Sequence, residues 1–466
     1  MKESKKNRAI VLGVLVATQS ILGVGLANAG SYVPNEVLVR YKPGADRSRA
    51  QMTNIRTLLS ISKVQRYSGS FGSFEKIVLA KNTNVANAVR TLSQLPGVEY
   101  AQPNYIVHTM NETQPRIKAN KNLEMFSPLN ALSSASWPID PPKAKDPELA
   151  PAPSEGPSLA DPLEKELYGM ALIGAKDAWK SNQGSRDVTV AVIDTGIDYN
   201  HEDLALNLFR SQGSDGQTNI GYDFANGDAL PFDDAGHGSH TAGTVGGVGF
   251  NGVGVVGVSP KAKIMALKFL AGNGSGSTSD AISAIEYSVK NGARILSNSW
   301  GMEGPVVSRD ALYDAIAEAG KKDVLFIAAA GNSSIDNDGG TRGYPASYEL
   351  ANIISVAATD STDTLAEFSN YGKKTVHLAA PGVKILSTIP GGGYKAYSGT
   401  SMATPHVAGA AALLLSANPK LTALQVKKIL LDSADKIEGL KEKTITGGRL
   451  NVAKAMQLAK VKFSRR

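Results

Sequence analysis

The chain has no cysteine. That excludes disulfides, thiolate zinc sites, iron–sulfur clusters and a cysteine nucleophile together, and leaves the redox compartment open. It also lacks a basic stripe of the kind a nucleic-acid partner needs. The net charge of +7 is unevenly placed: residues 1–30 carry +3, 31–110 carry +6, 111–164 carry −3 and 165–466 carry +1. The basic tail from Lys460 to Arg466 is short and reads as a solvated end. Beyond the N-terminus no stretch is long and apolar enough for a span of about 20 residues. What the chain has in excess is glycine, 47 of 466 residues, which points to tight turns and close backbone approaches.

The first residues read as an export signal. Lys2, Lys5, Lys6 and Arg8 precede an apolar run over 10–26, and Ala27-Asn28-Ala29 fits a small-residue cleavage site. Residues 1–29 are therefore expected to leave the mature protein, which would carry no membrane segment. Residues 31–109 read as a small α+β unit: strands over 36–41, 74–79 and 98–104, and helices over 47–59 and 85–95. Residues 110–163 change character. The run "PPKAKDPELAPAPSEGPS" cannot bury enough apolar surface to offset its ordering, so this part reads as a linker open to proteolysis.

Residues 164–466 read as a large α/β domain. Apolar, β-branched runs over 188–193, 263–269, 294–298, 324–330 and 353–358 alternate with helical stretches over 240–245, 278–290, 309–321 and 401–417. Such a pattern predicts a mostly parallel sheet covered by helices on both faces. Ligands of these sheets bind at the carboxyl ends of strands, so functional residues should follow the apolar runs.

Four segments stand out. Val192-Ile193-Asp194-Thr195-Gly196 puts a carboxylate at a strand end, where an Asp is more often a turn residue. His237-Gly238-Ser239-His240-Thr241-Ala242-Gly243 opens a helix with small residues around two histidines. Ala330-Gly331-Asn332 follows another strand, again a common place for a turn. Ser398-Gly399-Thr400-Ser401-Met402-Ala403-Thr404-Pro405 brings a serine to the entrance of a long apolar helix, where it can cap, with Pro405 expected in the first turn.

Taken together and in this order, the four segments resemble the subtilisin-like serine peptidases, over about residues 168–458. The order Asp, His, Ser is that of subtilisin. The resemblance implies Asp194, His237 and Ser401 as a catalytic triad, Asn332 as an oxyanion donor beside the Ser401 backbone N–H, and an assisting Thr400. The chemistry suits the residues. A serine hydroxyl is a poor nucleophile until a base takes its proton. An imidazole can take it and return it to the leaving amine, and a buried carboxylate holds that imidazole in the right tautomer.

The resemblance extends to a peptide cleft. Gly274-Ser275-Gly276 matches a strand that pairs with an extended peptide, Ser299-Trp300-Gly301 the opposite wall, and Gly343 the floor of the primary pocket. A glycine floor and no acidic residue imply broad specificity with a preference for large apolar side chains. The Gly247–Gly252 loop formally matches G-x-G-x-x-G but follows a helix, so no dinucleotide is expected. In the family this loop helps hold a structural Ca²⁺, which implies Asp203, Asn251 and the carbonyls of Val253 and Val255 as ligands of mixed oxygen type. No cofactor is implied for catalysis. His201, His237 and His240 lack the spacing of a zinc site.

Residues 31–109 resemble the propeptide of the same family, through "VPNEVLVRYKPG" and "PGVEYAQPNY". The expectation is a secreted, extracellular or periplasmic, monomeric serine endopeptidase. It is made as a zymogen whose partners are its protein or peptide substrates and its own propeptide, with no nucleic acid. Electrostatics should help the propeptide dock, since residues 31–110 sum to +6 and 165–380 to −9. The competing readings are a catalytically silent relative that binds peptides, against which every triad member is present, and an intracellular nucleotide enzyme, against which stand the export signal and the weak glycine loop.

Overall fold

The computed structural model describes residues 31–45, 56–67, 71–110, 148–151, 154, 159–213 and 218–463. Residues 1–29, read as an export signal, most of the helix expected over 47–59 and most of the connection expected over 110–163 lie outside them. Among the described residues no helix is long and apolar enough to cross a membrane.

The front domain is one antiparallel sheet. Strand Tyr32–Tyr41 lies between Phe74–Leu79 and Val98–Thr109, and Ile61–Arg66 is the outer strand beside Phe74–Leu79. Val37, Val39, Ile77 and Leu79 point to one face, where Val85, Ala88 and Leu92 of the helix Val85–Ser93 close a small core. That helix starts where Asn84 accepts the Asn87 N–H, a side-chain cap on an otherwise unpaired donor. Ile61–Arg66 was not foreseen. Its sequence ISKVQR carries few apolar residues and it stays half-exposed.

Among the described residues, the large domain is built on a sheet of nine strands. From one edge they run Asp435–Lys436, Gly448–Arg449, Leu378–Pro381, Ile353–Thr359, Leu325–Ala329, Ile295–Asn298, Thr189–Asp194, Lys263–Lys268 and Gly221–Asp223. All neighbours pair in parallel except the first two. The central strands, from Leu378–Pro381 to Thr189–Asp194, are largely apolar because both faces are covered; the short strands at the two edges carry polar and charged residues. Val190 and Val192 face a core shared with helix Thr400–Ala417, while Ala191 and Ile193 face helices Thr278–Lys290 and Ala311–Lys321.

Strand order reverses beside Thr189–Asp194. Later strands add on one side from Ile295–Asn298 outward, while Lys263–Lys268 and Gly221–Asp223 lie on the other. Such a switch opens a crevice at the carboxyl end of the sheet, and Asp194 stands at that end.

The two domains share one strand. Val98–Thr109 pairs with the front sheet through its first half, then runs on between Ser275–Ser277 and Trp300–Pro305 of the large domain. The sequence pattern ended this strand at 104. Its last residues find partners more than 160 positions away, so no local pattern announces them.

Candidate active site

Asp194 is buried, and its Oδ1 lies 2.7 Å from His237 Nδ1. The Thr195 backbone N–H donates to the same oxygen at 2.7 Å. A carboxylate only accepts, so Nδ1 carries the ring proton and Nε2 is left as the basic nitrogen. Close backbone approach makes this pairing possible. His237 opens the helix His237–Gly246, and a Cβ on Gly238 would stand 2.0 Å from the Gly196 carbonyl oxygen. The turn after Asp194 is braced by Lys268, whose buried Nζ donates to the Thr195 carbonyl at 2.7 Å and to Asp234.

Ser401 lies inside helix Thr400–Ala417, whose cap is Gly399. The serine therefore does not cap the helix. Pro405 sits beyond the first turn rather than in it, and supplies no N–H to the Ser401 carbonyl four residues earlier. The Ser299 hydroxyl meets that carbonyl instead, at 2.9 Å.

No hydrogen bond joins Ser401 to His237. Nε2 is buried without a partner, and Ser401 Oγ lies 2.6 Å from the Met110 carbonyl oxygen and 3.0 Å from that of Ser299. A hydroxyl on one rotatable bond changes acceptor by a step between staggered positions. Catalytic hydrogen bonds are often turned away outside the reacting complex.

Asn332 is fixed at both ends of its amide. Oδ1 accepts from the Thr400 N–H at 2.9 Å and the Thr400 hydroxyl at 2.8 Å, which turns Nδ2 onto the Met110 carbonyl oxygen at 2.7 Å. Of the two donors at that oxygen, Ser401 is the group that would attack, so Asn332 Nδ2 is the side chain left to stabilise negative charge developing there.

The cleft walls flank an extended segment. Gly276 is in register with Val107, Ser275 and Gly301 with His108, and Trp300 with Thr109. Gly274 accepts the Thr109 N–H and Ser299 the Met110 N–H, at 2.9 and 3.2 Å. The Met110 side chain lies over Gly301, where a Cβ would come within 2.5 Å of its Cε. Gly343 stands one strand further out, paired with Glu303, and a Cβ there would meet the Ala330 carbonyl at 2.6 Å. Sequence reasoning missed Met110, which carries no motif.

Two models of known families match the chain. That of the subtilase family covers residues 185–451, which hold Asp194, His237, Asn332 and Ser401. The chain belongs to the subtilase family. The model of the fervidolysin N-terminal prodomain matches residues 22–104. A thermophilic serine proteinase of Bacillus sp. (strain AK1) is 34% identical over 411 residues, 88% of this chain and 84% of the relative. Thermitase of Thermoactinomyces vulgaris is 39% identical over 296 residues, 62% of this chain and 95% of the relative. Subtilisin DY of Bacillus licheniformis is 40% identical over 267 residues, 57% and 90%. This subtilase is a serine endopeptidase with an N-terminal prodomain.

The residues named for calcium meet at one loop. Asp203 accepts from Asn251 Nδ2 at 2.9 Å, the Val255 N–H at 2.8 Å and the Tyr394 hydroxyl at 2.9 Å, and Val253 donates its N–H to Asn251 Oδ1. A second carboxylate, not foreseen, reaches the same loop: Asp161 accepts the N–H groups of Phe250, Asn251 and Gly252. It sits in a stretch read as linker, beside Leu159, which bridges to Asn251. Burial raises the pKa of both carboxyls, Asp203 to about 6, and among the described residues no Lys or Arg forms an ion pair with either. The two buried carboxylates have no basic partner among the described residues but face N–H donors, Asn251 offering Asp203 its amino group and Val255 its N–H rather than the oxygens expected of them; a hard cation here would need the Asn251 amide turned to offer Oδ1 and the Val253 and Val255 carbonyls turned inward.

Proposed function

We propose that this subtilase is an exported zymogen that hydrolyses peptide bonds in proteins through an acyl-enzyme. Ser401 attacks the scissile carbonyl, His237 Nε2 takes its proton and passes it to the leaving nitrogen, and Asp194 holds the imidazole. Asn332 Nδ2 steadies the oxyanion, and water then releases the acyl group by the same route. The observation that carries this reading is the Met110 carbonyl: held by Asn332 and touched by Ser401, in a segment lying as a strand between both cleft walls. A substrate would lie the same way, and the prodomain inhibits by lying there first.

The side chain ahead of the cut is expected to be large and apolar, as Met110 over Gly301 suggests. A Ca²⁺ held by Asp203 and Asn251, with the Val253 and Val255 carbonyls, would tie the Phe250–Val255 loop to the body and takes no part in the chemistry. The enzyme is expected to work as a secreted monomer.

Ser401→Ala tests the reading. Hydrolysis of a chromogenic peptide should fall by at least about 10⁴-fold with substrate binding kept. Retained turnover would remove Ser401 from the mechanism. In a peptide library, cuts chiefly after Lys or Arg would refute the apolar pocket.

A further inference from the structure

We infer that the first bond this enzyme cuts in its own chain is the one following Met110, and that the connecting segment, from Asn111 on, stays with the large domain as an N-terminal arm. The inference rests on the peptidase reading above and adds to it the bond and the composition of the product.

Register selects the bond. Val107 and His108 are taken up by pairing with Gly276, Ser275 and Gly301, and Thr109 by Trp300 and Gly274. Met110 is the next residue, and its carbonyl oxygen has the Asn332 amide at 2.7 Å and the Ser401 hydroxyl at 2.6 Å. Two glycines make room for this residue. A Cβ on Gly399 would stand 2.7 Å from the Met110 carbonyl oxygen, and one on Gly301 within 2.5 Å of its Cε. The site is thus shaped around both the backbone and the side chain of Met110.

The step balances with water alone. Ser401 Oγ bonds to the Met110 carbonyl carbon, its proton passes through His237 Nε2 to the Asn111 nitrogen, and the C–N bond breaks. Water then hydrolyses the Met110 ester, leaving a carboxylate on Met110 and restoring the Ser401 hydroxyl. The products are a front domain ending in Met110 and a large domain beginning at Asn111.

The arm is retained because its far end is anchored. The Ala150 N–H donates to Asn200 Oδ1 at 2.9 Å, Asn200 Nδ2 donates to the Glu148 carbonyl at 2.8 Å, and Leu149 packs on the main core. Further on, Leu159 and Asp161 are tied to the Phe250–Asn251 loop. From Asn111 to the residue before Glu148 there are 37 residues (147 − 110), enough to reach roughly 120 Å when extended. A cut after Met110 therefore disturbs neither anchor.

Full-length chain sampled early in maturation and read by N-terminal sequencing and intact mass tests this. The first pair of fragments should end at Met110 and begin at Asn111, with Glu148–Ala150 still on the catalytic fragment, and Ser401→Ala should leave the chain uncut at this bond. Met110→Asp and Met110→Pro should each slow this cut at least about tenfold. A Ser401-dependent first cut elsewhere, in a chain that hydrolyses peptides, would overturn this inference and leave the peptidase reading intact. A chain with neither peptide hydrolysis nor a Ser401-dependent cut would overturn both.

Discussion

Asn332 acts only if its amide is held the right way round. With Oδ1 committed to the N–H and hydroxyl of Thr400, Nδ2 has one direction left, and it is that of the Met110 carbonyl. Asn332→Ala should lower kcat by about 10²–10³, the loss that follows removal of the like donor in subtilisin, with KM little changed. Thr400→Val should cost about tenfold, and nothing further once Asn332 is already Ala, because it works through that amide. Equal losses in both backgrounds would show Thr400 acting by itself. His406 shows a different residue-scale effect. It is buried on helix Thr400–Ala417, and burial lowers its pKa to about 4, against about 6.5 for a histidine in an unfolded chain. Between those values the unfolded state binds the extra proton. The stabilisation present above pH 6.5 is therefore lost as pH falls towards 4, by about 1.4 kcal/mol per unit from this side chain. In a Ser401→Ala background, which prevents autolysis, His406→Gln should lose about 2 kcal/mol less than its parent between pH 6.5 and 5 in urea unfolding. An equal loss in both would mean that His406 protonates in the folded protein.

Among elements, those with a strong local signal were legible. Thr278–Lys290 was placed to the residue, because its cap, with Ser277 accepting the Asp280 N–H, and its apolar face are both written locally. The five apolar runs became the buried strands of the sheet, and the rule that function follows such runs led to Asp194 and Asn332. Elements made by distant pairing were not legible. Ile61–Arg66 is a half-exposed outer strand with polar residues on it, and the 105–109 end of the cleft strand owes its form to Ser275–Ser277 and Trp300–Pro305. The Ser299 hydroxyl on the Ser401 carbonyl was hidden likewise, although a proline four residues after the serine hinted that this carbonyl needed an outside donor. Asp161 was lost in a proline-rich stretch with no periodicity. It matters to the Phe250–Val255 loop, where it and Asp203 bring two carboxylates that burial makes reluctant to ionise. A Ca²⁺ at about 100 times its Kd would stabilise this domain by about 2.7 kcal/mol, on the order of 5–10 °C in Tm. EDTA should lower the Tm of the Ser401→Ala protein by that much, and Asp203→Asn should abolish the difference. A Tm indifferent to EDTA would remove calcium from this loop.

At the scale of the molecule, the question is how firmly the front domain is held against the large one. Part of the contact is insensitive to salt. Gln102 Oε1 accepts the Ala311 N–H and Asn104 Oδ1 the Ser279 N–H, so two neutral side chains cap the helices Ala311–Lys321 and Thr278–Lys290 across the interface. The Tyr67 hydroxyl donates to the Ser279 carbonyl at 2.9 Å. Leu38, Phe71 and Phe74 add apolar contact with the large domain's core. Other contacts are charged: Arg40 lies 3.0 Å from Asp314, Arg309 2.8 Å from Glu99 and Lys76 3.9 Å from Asp280. Arg309–Glu99 is partly exposed, and a pair of that kind contributes about 0–1 kcal/mol; Arg40–Asp314 is largely buried, and there the cost of desolvation offsets much of the attraction. Behind them stands the wider attraction between the +6 front segment and the −9 of residues 165–380, which reaches about 10 Å at 0.1 M salt and about 3 Å at 1 M. Screening both should cost the complex about 1–2 kcal/mol, so its dissociation constant should rise about tenfold between 0.1 and 1 M NaCl. The measurement is the rise of peptidase activity after the chain has cut itself, followed at several salt concentrations. A tenfold change would assign the charge imbalance a real share of inhibition. No change would leave the helix caps, the cleft strand and the apolar contact of Leu38, Phe71 and Phe74 to hold the front domain, and Arg40→Gln would then release it no faster than the parent.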